Sequence, residues 1–212
     1  MQGLFLTFEG IDFCGKSTQA KRLVTRLESM SVPVVVVREP GGTHISEAVR
    51  EILLDNKHQQ MDARTELLLY TAARAQIVAE KIFPALEASQ VVICDRFIDS
   101  TTAYQGYGRL LDLDFVHAVN RFATKNVKLS CTIFLDIPVE IAEARRKEYS
   151  LIKDRLEDET IPFHQRVRDG YLQIAQNEPE RFCVVNGEGS IEQVAQRVWD
   201  VVGRRLVQGQ TK

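Results

Sequence analysis

Short runs that are apolar on both faces recur along the chain at 4–8, 34–37, 91–94, 131–135 and 182–185. Each is rich in Val, Ile, Leu or Phe, and runs of this length without polar alternation suit strands covered by helices on each side. Between them, the stretches 16–29, 45–54, 63–83, 115–124, 139–146, 163–176 and 191–206 carry apolar residues at three- and four-residue spacing, the period of an amphipathic helix. Strands alternating with helices imply right-handed crossovers, so the pattern predicts an α/β fold with a five-stranded parallel sheet flanked by helices. Gly41-Gly42 marks a turn before the second helix, Pro84 should end or kink the third, and Pro138 fits the first turn of the helix after strand four. No repeat, linker or low-complexity segment interrupts the pattern, and 147–159 is its one charge-dense stretch.

A length of 212 residues favours one domain over the whole chain, 1–212, with a small mobile appendage. At 44% hydrophobic and 26% charged residues the chain can bury a core without disulfides or metals. Lys+Arg 27 against Asp+Glu 29 leaves a formal charge of -2, which argues against nucleic-acid or membrane-surface partners and means that any bound anion is held locally. The apolar run at 32–37 is far below the roughly 20 residues of a membrane span, and the first residues lack a secretory layout, so a cytoplasmic location is expected. Cys14, Cys94, Cys131 and Cys183 show no paired spacing and read as reduced, apolar-packed thiols; His44, His58, His117 and His164 show no metal-ligand spacing.

Gly10-Ile11-Asp12-Phe13-Cys14-Gly15-Lys16-Ser17 fits G-x-x-x-x-G-K-[ST] and lies between a predicted strand and a predicted helix, the context that a phosphate-binding loop requires. Its glycines let backbone N–H groups close around phosphate oxygens, and the helix beginning at Lys16-Ser17-Thr18 points its positive end at them. Lys16 should bridge the β- and γ-phosphates. Ser17 is placed for Mg²⁺, with Asp95 at the carboxyl end of the 91–94 strand oriented towards the same ion. Cys14 could be an activated thiol at a helix start, but it reads first as a small residue filling a tight loop. An Asn-Lys-x-Asp element of guanine switches is missing, since Asn56-Lys57 continues into His58-Gln59.

Ligands of open parallel sheets sit beyond the carboxyl ends of the strands. There the chain offers Arg38, Glu39 and Pro40 after strand two, and Arg96, Ser100, Thr101, Tyr104 and Gln105 after strand three. Tyr70 and Arg74 lie one helical turn apart on the third helix and share a face. A ring, guanidiniums, hydroxyls and amides together suit a nucleoside monophosphate; singly, Tyr70 could be a core aromatic and Arg74 a solvated helix residue.

Over nearly its whole length the chain resembles the thymidylate kinases. The resemblance is carried by Asp12 in the loop, Arg38-Glu39-Pro40-Gly41-Gly42-Thr43, the Tyr70-to-Arg74 spacing, Asp95-Arg96-Phe97 with Ser100-Thr101 and Ala103-Tyr104-Gln105-Gly106, and Asp154-Arg155-Leu156-Glu157. It implies a P-loop nucleoside-monophosphate-kinase fold, with ATP as donor and dTMP as acceptor. It also implies that Arg96 holds the dTMP phosphate, Tyr70 stacks on thymine, Arg74 bonds a base carbonyl and Thr101 meets the base edge. Asp12 approaches the sugar 3′-OH or the acceptor phosphate, Tyr104 guards against a 2′-OH with Gln105 beside it, and a cis peptide precedes Pro40. A homodimer is expected on the same ground.

Phe13 stands where one subclass has an arginine in the loop, so the extra cation is expected from a short basic lid at about 145–157, the arrangement of the other subclass. Arg145, Arg146, Lys147, Lys153 and Arg155 crowd that segment; a solvated basic surface is the plainer reading for any one of them. The resemblance sets Arg145 and Asn186 near adenine and makes Arg155 the lid cation of the transfer step. A kinase of another monophosphate or of a deoxynucleoside, and a catalytically silent nucleotide-binding regulator, remain open at this point.

Overall fold

A computed structural model describes residues 3–149, 155, 156 and 159–210. Five parallel strands, β1 (Phe5–Glu9), β2 (Val34–Arg38), β3 (Val91–Asp95), β4 (Cys131–Asp136) and β5 (Phe182–Asn186), form one sheet in the order β2-β3-β1-β4-β5. The strands follow the predicted apolar runs and extend them by a residue or so into a polar end. That extension matters, because Glu9, Arg38, Asp95, Asp136 and Asn186 are thereby presented together at the carboxyl edge of the sheet. The register sets Phe8 beside Asp95 and Glu9 beside Phe134.

The helices are α1 (Lys16–Ser29), α2 (His44–Leu54), α3 (Ala63–Ile77), α4 (Phe83–Glu87), α5 (Ile98–Thr101), α6 (Leu113–Thr124), α7 (Val139–Tyr149), α8 (Ile161–Asn177) and α9 (Ile191–Gln210). Their starts are chemically marked: Thr43, Asp112 and Thr160 accept hydrogen bonds from Ser46, Phe115 and Phe163 backbone N–H groups at 3.2, 2.8 and 3.4 Å. Among the described residues no helix is long and apolar enough to cross a membrane.

Strand β3 shows how the sheet is buried on both sides. Val91 and Ile93 join the larger core with Leu23 of α1, Val167 of α8 and Val198 of α9, whereas Val92 and Cys94 pack with Ile77 of α3 and Phe97. The sequence expectation of a kink at Pro84 is met by a widened, π-type turn at Val78–Ile82 between α3 and α4. Proline has no N–H to offer and crowds the carbonyl four residues back, and a wider turn accommodates both effects. A second π-type turn, Thr102–Gly108, continues α5. This helical stretch is not among the predicted helices.

Candidate active site

The loop after β1 owes its shape to residues that tolerate positive φ. Gly10 has φ 142° and Gly15 φ 101°, and a Cβ on Gly10 would lie 2.8 Å from the Leu135 carbonyl oxygen. Phe13, at φ 61°, is the strained exception. Lys16 folds back so that Nζ donates to the carbonyls of Gly10 at 3.1 Å and Ile11 at 2.9 Å. Ser17 Oγ donates to Asp95 Oδ2 at 2.6 Å across the gap between α1 and β3. Cys14 is buried, and burial pushes its thiol up against the pull of Lys16, which supports the small-filler reading over the activated thiol.

A wide cleft of about 770 Å³ lies over this loop, lined by Asp12 and its successors through Gln19, and by Arg38, Asp95, Arg145 and Gly187 among others. Arg145 reaches it from α7, donating to the carbonyls of Phe13 at 3.3 Å, Cys14 at 3.4 Å and Gly187 at 3.3 Å. Asn186 stands next to the cleft; its Oδ1 accepts from the Glu188 N–H at 2.8 Å, and its neighbour Gly187 does the lining.

Beside it lies a tighter cavity of about 160 Å³ that brings together Glu39, Pro40, Tyr70, Arg74, Ser100, Thr101, Tyr104 and Gln105, all predicted site residues. Arg50, Leu54 and Leu156 also line it. Arg50 was not expected; its only sequence signal is a cation on a helix that starts just after Arg38-Glu39-Pro40. The peptide before Pro40 is cis.

Arg74 is 1% exposed, so the solvated alternative fails. Its Nε donates to Glu39 Oε2 at 2.7 Å, and Nη1 donates to Thr101 Oγ1 and Asn120 Oδ1, both at 2.8 Å. Burial raises the Glu39 carboxyl despite Arg74 beside it, and Glu39 Oε1 is buried with no hydrogen-bond partner among the described residues. Such an orphaned acceptor is costly unless something fills the cavity and donates to it.

Arg96 sits where the two cavities meet. Its backbone is left-handed, φ 70°, which turns the side chain inward from the end of β3. Nη1 donates to the Gly10 carbonyl at 3.0 Å and Ser100 Oγ at 3.2 Å, while Nη2 meets Asp12 Oδ1 and lies 3.3 Å from the Tyr104 hydroxyl. Tyr104 donates to Asp12 Oδ2 at 3.0 Å. Burial alone would raise the Asp12 carboxyl, but the charges of Arg96 and Lys16 outweigh it and hold Asp12 well below the usual carboxylate range.

Arg155 is not brought to the cradle. It is 3% exposed, with Nε donating to the Leu53 carbonyl at 2.9 Å and Nη2 paired with Glu66 Oε2 at 2.6 Å. Glu66 on α3 also receives Arg109 and Gln105, at 3.0 and 2.8 Å. Burial would raise Glu66, but these donors hold it low, so Arg155 is anchored by a buried negative charge remote in sequence from the lid. In this arrangement the Arg155 guanidinium faces Glu66 and the Leu53 carbonyl. Lys153, Asp154 and Glu157 lie outside the described residues.

A family model described as Thymidylate kinase matches residues 8–198. A thymidylate kinase of Geobacter sp. (strain M21) is 48% identical over 209 residues, covering 96% of this chain and 93% of the relative. One from Bacillus cytotoxicus is 47% identical, covering 98% of this chain and all of the relative. Among solved structures, thymidylate kinase from Ehrlichia chaffeensis superposes with a TM-score of 0.79 at 34% identity, over 95% of this chain and 100% of that one. With the parallel sheet, the glycine-rich loop at its carboxyl edge and the two adjoining cavities already in place, these matches fix the assignment: the chain belongs to the thymidylate kinase family, with the P-loop nucleoside-monophosphate-kinase fold.

Proposed function

We propose that the protein transfers the terminal phosphoryl group of ATP to dTMP, giving ADP and dTDP. One observation carries the reading: Asp12, Glu39, Arg50 and Arg96 line both the cleft over the phosphate loop and the acceptor cavity. Two nucleotides in those spaces would meet phosphate to phosphate, the in-line geometry that phosphoryl transfer needs.

In this reading the amides of the loop and the first turn of α1 hold the triphosphate, and Lys16 releases its two loop carbonyls to neutralise the transferred group. Arg96 holds the acceptor phosphate, with Asp12 restraining the guanidinium and bordering the sugar. Tyr70 stacks on the base, Arg74 and Thr101 address its edge, and Tyr104 with Gln105 closes the space beside the sugar against a 2′-hydroxyl. Glu39 Oε1, unmatched in the cavity, accepts from the incoming nucleoside. Arg145 packs beside adenine, near Asn186.

The paired oxygens of Ser17 and Asp95, 2.6 Å apart at the cradle, are the hard donor set that Mg²⁺ prefers. When bound, the ion supplies charge neutralisation on the phosphates. Arg155, paired with Glu66 here, is the lid cation of the transfer step in this reading, while Arg145 on α7 meets the loop carbonyls of Phe13 and Cys14. The chain is taken to act as one cytoplasmic domain and as a homodimer; exposed Ile52, Leu68, Phe115 and Phe122 provide apolar surface for a second copy, and light scattering reads the stoichiometry.

The test is ADP release measured with dTMP, dUMP, AMP, dGMP and thymidine in turn. Turnover of dTMP above the others supports the reading. Turnover of thymidine without dTMP overturns the acceptor assignment, and ATP binding without turnover of any acceptor favours a regulator.

A further inference from the structure

Glu9, the last residue of β1, touches neither cavity, yet it grips the turn that carries Arg96. The side chain is fully buried. Oε1 accepts the Phe97 backbone N–H at 2.7 Å, and Oε2 accepts the Ser100 hydroxyl at 2.5 Å and the Tyr171 hydroxyl, from α8, at 3.0 Å. Arg96 is the left-handed residue at φ 70°, a conformation that costs an ordinary side chain roughly 1–2 kcal/mol and persists only where its surroundings hold it. Glu9 fixes the peptide that follows Arg96 and also fixes Ser100, which is itself the acceptor for Arg96 Nη1 at 3.2 Å. The carboxylate therefore sets both the backbone from which Arg96 projects and one of the partners its guanidinium meets.

We infer that Glu9 is a positioning residue for the acceptor phosphate, its ionised carboxylate holding the 96–100 turn so that Arg96 and Ser100 face the acceptor cavity. The inference rests on the reading of Arg96 as the acceptor-phosphate arginine.

Its charge state is responsive. Burial and the carboxylate of Asp99 on α5 raise Glu9 to about 7, against the pull of the Ser100 hydroxyl, the Arg96 guanidinium and the Phe97 N–H. Asp99 is itself met by Arg181 at 2.7 Å, and the other titratable neighbours are Tyr171 and the Cys94 thiol on β3, both pushed upward and neutral. As pH falls through 7, Glu9 takes a proton and can no longer accept from all three donors at once, so the turn loses part of its hold. Acceptor affinity then weakens on the acid side beyond what the acceptor phosphate's own ionisation near pH 6 produces.

Steady-state kinetics of the unaltered protein and of Glu9→Gln, between pH 6 and 8.5, separate the two contributions. The amide has one accepting oxygen, so at pH 8 the variant should show a dTMP KM raised by about tenfold, the loss of one hydrogen bond to a charged acceptor, with the ATP KM within about twofold. Its dTMP KM should follow only the ionisation of the phosphate. Tyr171→Phe removes one donor to the carboxylate and should move the midpoint of the unaltered profile to higher pH; it also serves if Glu9→Gln folds poorly. The δ-carbon resonance of Glu9, assigned by its loss in the variant, should titrate near pH 7 without substrates. Superimposable dTMP profiles, equal rises in both KM values, or a δ-carbon signal that stays flat between pH 6 and 8 would each overturn the inference. Absence of dTMP turnover by the unaltered protein is a different failure, that of the acceptor reading, and the carbon titration still decides whether Glu9 changes state.

Discussion

Replacing Arg96 by alanine tests the junction of the two cavities most directly. The guanidinium is 18% exposed and spends its donors on Gly10, Ser100, Asp12 and the neighbourhood of Tyr104. An acceptor phosphate entering beside it would form charge-assisted hydrogen bonds, of which removing one partner typically costs about 2–3 kcal/mol. At ~1.4 kcal/mol per decade this is roughly a 30- to 150-fold rise in the dTMP KM. The backbone contributes little to the change, since arginine and alanine are about equally strained at φ 70°. A second effect follows from Asp12. Without Arg96 the largest influence left on that carboxyl is burial, which raises it, so the pH profile on the acid side should shift upward as well. Arg96→Lys keeps a point charge but not the two-pronged donor, and should fall between alanine and the unaltered protein. The assay is ADP release with dTMP and ATP varied separately, alongside direct calorimetry of dTMP binding. An unchanged dTMP KM with a raised ATP KM would place the side chain in the donor site and refute the reasoning.

Lys16→Ala should lower kcat by roughly 10²- to 10³-fold, the usual consequence of removing a fixed donor at developing charge, and a rapid-quench rate near normal would count against the cradle. Arg74→Met strands the buried Glu39 carboxylate and should cost about 3–5 kcal/mol in urea unfolding; adding Glu39→Gln should restore part of it, and a loss below about 1 kcal/mol would show that the pair is not a structural unit. Stability compared with Glu9→Gln should also depend on pH. The folded-state value of about 7 lies above the ordinary 4.5, so the folded chain retains a proton that the unfolded chain has released. Burial of the charge outweighs the hydrogen bonds the carboxylate accepts, so relative to Glu9→Gln the unaltered protein loses roughly 3 kcal/mol as pH rises from about 4.5 through 7; a difference that does not vary with pH would contradict the assignment.

The strands and the phosphate loop were legible because their signals are local. A run apolar on both faces can only be a covered strand or a buried helix, and the glycines with Lys16-Ser17 follow β1 directly. The helical stretch across 98–108 was not legible. Thr101, Thr102, Gly106 and Gly108 are poor helix formers, and what stabilises them is packing on α8. A Cβ on Gly108 would come within 2.8 Å of the Phe163 ring, and one on Gly170 within 2.7 Å of Tyr107, so these glycines let two helices approach closely for a reason no local window contains. Arg155 illustrates the same limit for a charge. Its basic neighbourhood suggests a phosphate, but its partner is a carboxylate on α3, and only the tertiary fold brings Glu66 to it. Tyr70 and Arg74, by contrast, were readable as a pair from helical spacing, although the burial of Arg74 and its tie to Glu39 were not.

The fold-back of Lys16 has a consequence for how tightly a nucleotide can be gripped. An ammonium already engaged by two main-chain carbonyls has shed most of its hydration during folding, well before a substrate arrives. The dehydration penalty that a free lysine would levy on each catalytic cycle is thus met once, when the chain acquires its shape. What remains for ATP is an exchange of one set of oxygens for another.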